Sequence, residues 1–300
     1  MLQNFPASQG FFSRMTAVSL CGMLAATGAF GAPAGAPTAA VAKCFPVFDA
    51  LLFTNKPDLS ALGLKPSAVV EPDRWLLAGQ SLDQIPDEPS IQIGLRASGA
   101  TSGVLVLDQE DWPNQGTTAV VTASVSKYLT LLSLVRQVGI QAPVGYYGVP
   151  PITDYWRAIG LPSSQPYLAW QSENDLLQPV ADAVDVLFPS LYTFYTDQTG
   201  WRRFAIANLS ESRRLARGKP VYAFIWPQYH DANMQLIPKQ FWALELQTVA
   251  QYADGVVIWG GFQTLWDEQA GWWQATLQFL RTSPQVCSLP NAPNDLKAFP

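Results

Sequence analysis

Seven short, continuously apolar runs lie between Cys44 and Cys287, separated by longer stretches of helical period, and this alternation constrains the fold more than any motif. The runs span 45–53, 67–70, 103–107, 144–147, 185–190, 220–225 and 255–259. They are apolar throughout rather than at every second position, so both faces of each strand must be covered, as in parallel sheets sheathed by helices. Between them, 118–137 places Val121, Val125, Tyr128, Leu129, Leu132 and Val135 on one stripe, and 240–252 and 266–280 show similar spacing. Asp267 and Glu268 are expected to open the last of these helices, where acids suit the positive end of the helix dipole. Strand–helix alternation with no break in composition predicts an α/β chain folded as one TIM-like (β/α) barrel. Periodicity is silent on whether the sheet closes, which leaves a doubly wound open sheet as the alternative. No glycine-rich phosphate loop follows the first strand, so a dinucleotide cofactor is not expected.

Composition narrows the function. With 48% apolar and 14% charged residues the chain can bury a large core and is not intrinsically disordered. A net charge of −5 without a Lys/Arg-rich run argues against nucleic acid as a partner. The single histidine, His230, excludes multi-histidine metal sites, and no metal or other cofactor is expected. A Ser–His–Asp hydrolase would have to use His230, but no Gly-x-Ser-x-Gly elbow accompanies it, and beside Asp231 it reads as a loop or cap residue.

Arg14, the apolar stretch 15–30 and the small residues Gly31, Ala32 and Ala34 follow the order of a secretory signal, so 1–34 is expected to be cleaved and the protein exported. The stretch is shorter than the ~20 apolar residues of a spanning helix and is interrupted by Gly22 and Gly28, so stable membrane insertion is not expected. A lead-in over 35–43, a catalytic unit over 44–287 and a Pro-rich tail over 288–300 complete the organisation. Cys21 would leave with the signal. Cys44 and Cys287 then suggest one bridge between the two ends of the folded region, the alternative being two buried thiols. Asn208-Leu209-Ser210 matches a glycosylation sequon.

In parallel barrels the reactive groups sit at the carboxyl ends of the strands. The run Val104-Leu105-Val106-Leu107 ends in Asp108-Gln109-Glu110-Asp111-Trp112-Pro113. Residues two apart on a strand share a face about 6.6 Å apart, so Asp108 and Glu110 are expected to project together into the mouth. Two close carboxylates do not both ionise cheaply. The less hydrated one keeps its proton to higher pH and can act as a general acid. Other strand ends carry Tyr146 and Tyr147, Tyr192, Trp226 and Tyr229, and Trp259. Each aromatic alone reads as core packing, and the acid pair alone as a cap or ion pair. Together they suit a sugar ring, with its apolar C–H faces and polar edges.

These residues resemble a known family. Asp108-x-Glu110-x-Trp112 after an apolar strand is similar to the catalytic Asp-x-Glu-x-Trp segment of the hyaluronidases, retaining glycoside hydrolases. Gly145-Tyr146-Tyr147, Phe188-Pro189-Ser190-Leu191-Tyr192, the stretch 220–229 and Ile258-Trp259-Gly260 resemble its later strands in order, and Gln84-Ile85-Pro86 is a fainter echo upstream. The resemblance runs from about Cys44 to Cys287 and includes the placement of a bridge between these two cysteines. It implies an irregular barrel of about seven main strands. Glu110 would be the proton donor, and the substrate's own 2-acetamido carbonyl the nucleophile, positioned by Asp108 and Tyr192. Tyr229, Trp226 and Trp259 would wall the sugar subsite, with Tyr146 as a further member. The chain departs from the family where Pro113 directly follows Trp112, and its matched motifs carry no basic residue for a polyanion. The expected partner is therefore an N-acetylhexosamine-containing polysaccharide or oligosaccharide, charge unspecified. The alternatives are a non-catalytic glycan-binding barrel and a chitinase-like hydrolase, whose longer acidic run would need aspartate where Leu105 or Val106 stands.

Overall fold

A computed structural model describes residues 44–76, 79–99, 103–230 and 235–287. The expected signal at 1–34, the lead-in at 35–43 and the tail at 288–300 lie outside the described residues. Six of the apolar runs form parallel strands: β1 (Val47–Leu51), β2 (Lys65–Val70), β3 (Val104–Leu107), β4 (Val144–Tyr146), β5 (Tyr222–Ile225) and β6 (Gly255–Gly260), in the order β4-β3-β2-β1-β6-β5. Helices α1 (Glu88–Ala97), α2 (Thr118–Gln137), α3 (Gln165–Asp175), α4 (Gln178–Ala183), α5 (Gln198–Ala216), α6 (Lys239–Tyr252) and α7 (Gly271–Thr282) cover the outside.

The fifth run forms no regular strand, yet it closes the sheet. Phe188 bridges Tyr147 beyond β4, while Leu187 and Ser190 bridge Val221 and Phe224 on the β5 side. Gly148 N–H donates to Phe188 O (2.8 Å), and Tyr222 and Leu191 N–H donate to Leu187 O and Phe224 O (both 2.9 Å). Pro189 has no N–H, so the ladder is interrupted inside the segment and only its carbonyl accepts, from Phe224 N–H at 2.9 Å. The sheet is thus an irregular seven-stranded barrel and not an open one.

Alternation at each strand sorts side chains between two cores. Phe48, Val106, Tyr147, Phe188, Phe224 and Val257 pack together inside the barrel. Leu51, Leu107, Tyr146, Leu187, Ile225 and Ile258 pack outward against the helices. Among the described residues α2 alone is long and apolar enough to cross a membrane by length and composition. In this fold its Val121, Tyr128, Leu132 and Val135 are buried against the outer face of the sheet.

Two expectations are corrected. The last helix starts at Gly271, because the Asp267 carboxylate accepts the Gln269 N–H (2.8 Å) in a side-chain turn that competes with helix, leaving Asp267 and Glu268 in the loop. The sequon asparagine, Asn208, is 1% exposed within α5 and donates to Phe204 O (2.9 Å), so the folded protein offers no amide for a glycan. Cys44 and Cys287 are bridged, with Cα atoms 4.7 Å apart, tying the residue before β1 to the segment after α7.

Candidate active site

Asp108 N–H donates to Val70 O (2.9 Å), which carries the β2–β3 ladder one residue past β3. The strand alternation therefore continues, and Asp108 faces the same way as Val104 and Val106, into the barrel. The residues between and after the acids are anchors: Gln109 is buried, and the Trp112 ring packs edge-on against Tyr128 of α2 (5.1 Å). The Tyr128 hydroxyl donates to Trp112 O (3.1 Å) and Gln109 O (3.3 Å), so α2 holds the acidic loop in place.

The two acids have different surroundings. The Asp108 carboxyl has an enclosed Oδ1 with no hydrogen-bond partner. Burial pushes it up to about 8, with further contributions from Glu110, Glu71 and Asp111. Glu110 is exposed as a residue but stands between two clefts, and the partial enclosure raises its carboxyl too, with Asp111 and Glu71 adding to the effect. Asp108 is thus the less hydrated member of the pair, whereas the family resemblance gives the donor role to Glu110.

Glu110 borders a cleft of about 330 Å³ whose other walls include Tyr147, Tyr155, Ser190, Tyr192, Phe194 and His230. On its other side a cleft of about 310 Å³ is lined by Glu71, Asp73, Leu82, Asp108, Glu110 and Asp111. A third, of about 510 Å³, shares Glu71 and continues past Arg74 and Leu52 to Trp259 and Phe262. Behind the first cleft Tyr192 meets Trp226 at 5.2 Å and Trp259 at 5.9 Å, and Trp226 meets Trp259 at 4.9 Å. The close approach depends on Gly260, at φ 127°, where a Cβ would lie 2.4 Å from the Trp226 indole. The Trp226 N–H donates to Gln228 Oε1 (3.0 Å).

Of the residues singled out from the sequence, Asp108, Glu110, Tyr192, Trp226 and Trp259 come together at the mouth. Tyr146 and Tyr229 do not. Tyr146 is 1% exposed on the outer face of β4 and donates to Tyr128 O (2.7 Å). Tyr229 packs outward near Phe241 of α6 (6.5 Å) and belongs to the helix-side core. In both cases the neighbour one position along occupies the cleft, Tyr147 and His230, because a one-residue offset in a strand exchanges faces. The Tyr147 and Ser190 hydroxyls share a hydrogen bond (2.8 Å), and the Tyr147 ring lies 5.5 Å from Tyr192. Glu71 was overlooked as well, although it directly ends the second apolar run and the strand-end rule that found Asp108 applies to it equally.

The opposite end of the barrel holds another cavity of about 510 Å³, beside the disulfide, where Lys219 donates to Ala181 O (2.8 Å) and Val184 O (2.7 Å), Arg213 donates to Asp254, and Lys65 completes the basic lining. Among the described residues no group of three or more His, Cys, Asp or Glu could hold a metal ion.

No protein-family model and no curated protein sequence matches the chain. Solved structures do. Bee venom hyaluronidase aligns over 79% of this chain and 96% of its own, at a TM-score of 0.56 and 17% identity. The same enzyme in complex with a hyaluronic acid tetramer aligns over 79% and 95%, at 0.55 and 18%. A Bacteroides thetaiotaomicron protein described as a putative alpha-L-fucosidase follows at 0.45 and 11%, over 85% and 96%. At these identities the likeness is one of fold: the chain is a (β/α) barrel of the kind found in glycoside hydrolases.

Proposed function

We propose that the protein is a secreted glycoside hydrolase that cleaves N-acetylhexosamine-containing polysaccharide with retention, using Glu110 as acid and base. The observation that carries this reading is the pairing of Asp108 and Glu110, both with raised carboxyls, at the carboxyl end of β3 between clefts walled by aromatic side chains. The disulfide supports the exported location, since such bridges persist in oxidising compartments.

Glu110 has the access a donor needs, and it gives its proton to the glycosidic oxygen as the substrate's acetamido carbonyl closes on the anomeric carbon. Beside the positive charge that has formed on the sugar, loss of this proton leaves the pair with one more negative charge. Asp108, deeper in the mouth, shares that charge and faces the acetamido group. Water then opens the cyclic intermediate and returns its proton to the pair. Tyr192, Trp226 and Trp259 form the wall on which the ring packs, and Tyr147 with Ser190 offers hydroxyls to its polar edge. Tyr146 and Tyr229 support the wall from behind without touching sugar.

Glu110→Gln tests the reading. The variant is expected to fold normally, bind oligosaccharide and lose at least about a thousandfold in kcat, measured as new reducing ends. An unchanged rate removes Glu110 from the chemistry. Binding without cleavage by the wild type would instead mark a glycan-binding barrel.

A further inference from the structure

Resting on the hydrolase reading above, we infer that the polymer bound across this mouth carries no acidic groups and is uncharged or bears free amines. The three clefts run together through Glu110 and Glu71 and bring three further acidic side chains, Glu71, Asp73 and Asp111, to the mouth beside the Asp108–Glu110 pair. Among the described residues lining them Arg74 is the only Lys or Arg, and it lies 3.7 Å from Asp73. Of the basic residues on neighbouring elements, Lys56 is paired with Asp49 (2.6 Å), Arg157 with Asp154 (2.6 Å) and Glu173 (2.8 Å), and Lys127 with Asp83; Arg96 stands in the last turn of α1, next in sequence to cleft-lining Ala97.

A hollow lined by one sign of charge concentrates ions of the opposite sign and repels its own. A polyanion would have to bring its carboxylates against this set with Arg74 as the one lining guanidinium to receive them, itself beside Asp73. An uncharged chain needs only the aromatic faces, which Tyr155 and Phe194 supply at one end of the clefts and Trp259 and Phe262, the latter 60% exposed, at the other. Amines on the polymer would add direct attraction to Glu71 and Asp73.

The test uses Glu110→Gln protein titrated calorimetrically with three tetrasaccharides: chitotetraose, its fully de-N-acetylated counterpart and the hyaluronan tetrasaccharide, with wild-type product formation followed in parallel. At low salt the first two are expected to bind at least about tenfold more tightly than the hyaluronan fragment. The gap should shrink towards 1 M salt, where the screening length is about 3 Å. Adding Glu71→Gln and Asp73→Asn should narrow it several-fold at low salt. Equal or tighter binding of the hyaluronan fragment overturns the inference and leaves the hydrolase reading standing. Failure of all three to bind and of all three to be cleaved overturns the hydrolase reading itself.

Discussion

The two ends of the barrel treat their acids in opposite ways. At the amino ends of the strands, Asp185 accepts the Val144 N–H (3.1 Å) and an Arg136 guanidinium (3.1 Å), and Asp254 accepts the Val221 N–H (2.9 Å) and Arg213 (3.2 Å). Each carboxylate there fastens a strand to a helix and is neutralised as it does so. At the carboxyl ends Asp108 and Glu110 have acids for neighbours, and one Asp108 oxygen has no partner. That arrangement costs stability. One end of the fold is organised for cohesion, while the other gathers the acids to which the proposed mechanism gives the proton transfer.

If this division holds, damage at each end should have its own signature. The largest expected effect is at the closed end. Replacing both Cys44 and Cys287 by serine opens a linkage spanning 243 residues and should cost up to about 5 kcal/mol on the loop-entropy model, read from the urea midpoint. kcat at 25 °C should be unchanged in the protein that remains folded. A fall in kcat there would show that the two ends are mechanically coupled.

Asp108→Asn should do the reverse. The Asp108 carboxyl titrates near 8 in the folded chain against an ordinary value of 3.8, so between these limits the native state holds the extra proton. Stability of the wild type therefore falls as pH rises through that window, by at most about 1.4 kcal/mol per pH unit. The asparagine variant lacks this slope and should melt higher than wild type at pH 8, while losing about a hundredfold in kcat. A variant less stable than wild type at pH 8 would mean that Asp108 contributes a bond the structure lacks.

The smallest contrast is between adjacent tyrosines. Tyr146→Phe loses the bond to Tyr128 O and should cost about 1 kcal/mol in stability with KM unaltered. Tyr147→Phe loses the bond to the Ser190 hydroxyl, should cost a similar amount in stability, and should in addition raise KM several-fold. Exchanged outcomes would place the wrong tyrosine in the cleft.

Much of this organisation was legible without coordinates. Continuous apolar runs between stretches of helical period fit parallel strands covered on both sides, and Asp108 and Glu110, two apart, line one cleft just past the ladder bond at Asp108. The bounds 118–137 coincide with α2, whose buried face keeps Val121, Val125, Tyr128, Leu132 and Val135 of the expected stripe but includes Leu131 where Leu129 is only half-buried. Where the reading went astray, the deciding contacts were distant in sequence. Tyr146 and Tyr147 are equally apolar neighbours, and only the phase of β4 against α2 and against Phe188 selects which faces the cleft. Glu245 sits on a helix whose spacing looks amphipathic, yet it is fully buried because Thr193, 52 residues away, donates to it at 2.7 Å, and burial keeps its carboxyl well above the usual range.

Continuous apolar runs set between stretches of helical period determined the strands and the class of fold, and the spacing of two acids at a strand end put them on one face. Tertiary structure alone decided that the interrupted 185–193 segment closes the barrel, that Glu71 approaches the pair, and that Asp108 rather than Glu110 is the drier acid. The physical reason is that side-chain direction follows from backbone geometry over two or three residues, whereas hydration and electric field depend on every group the fold brings within reach.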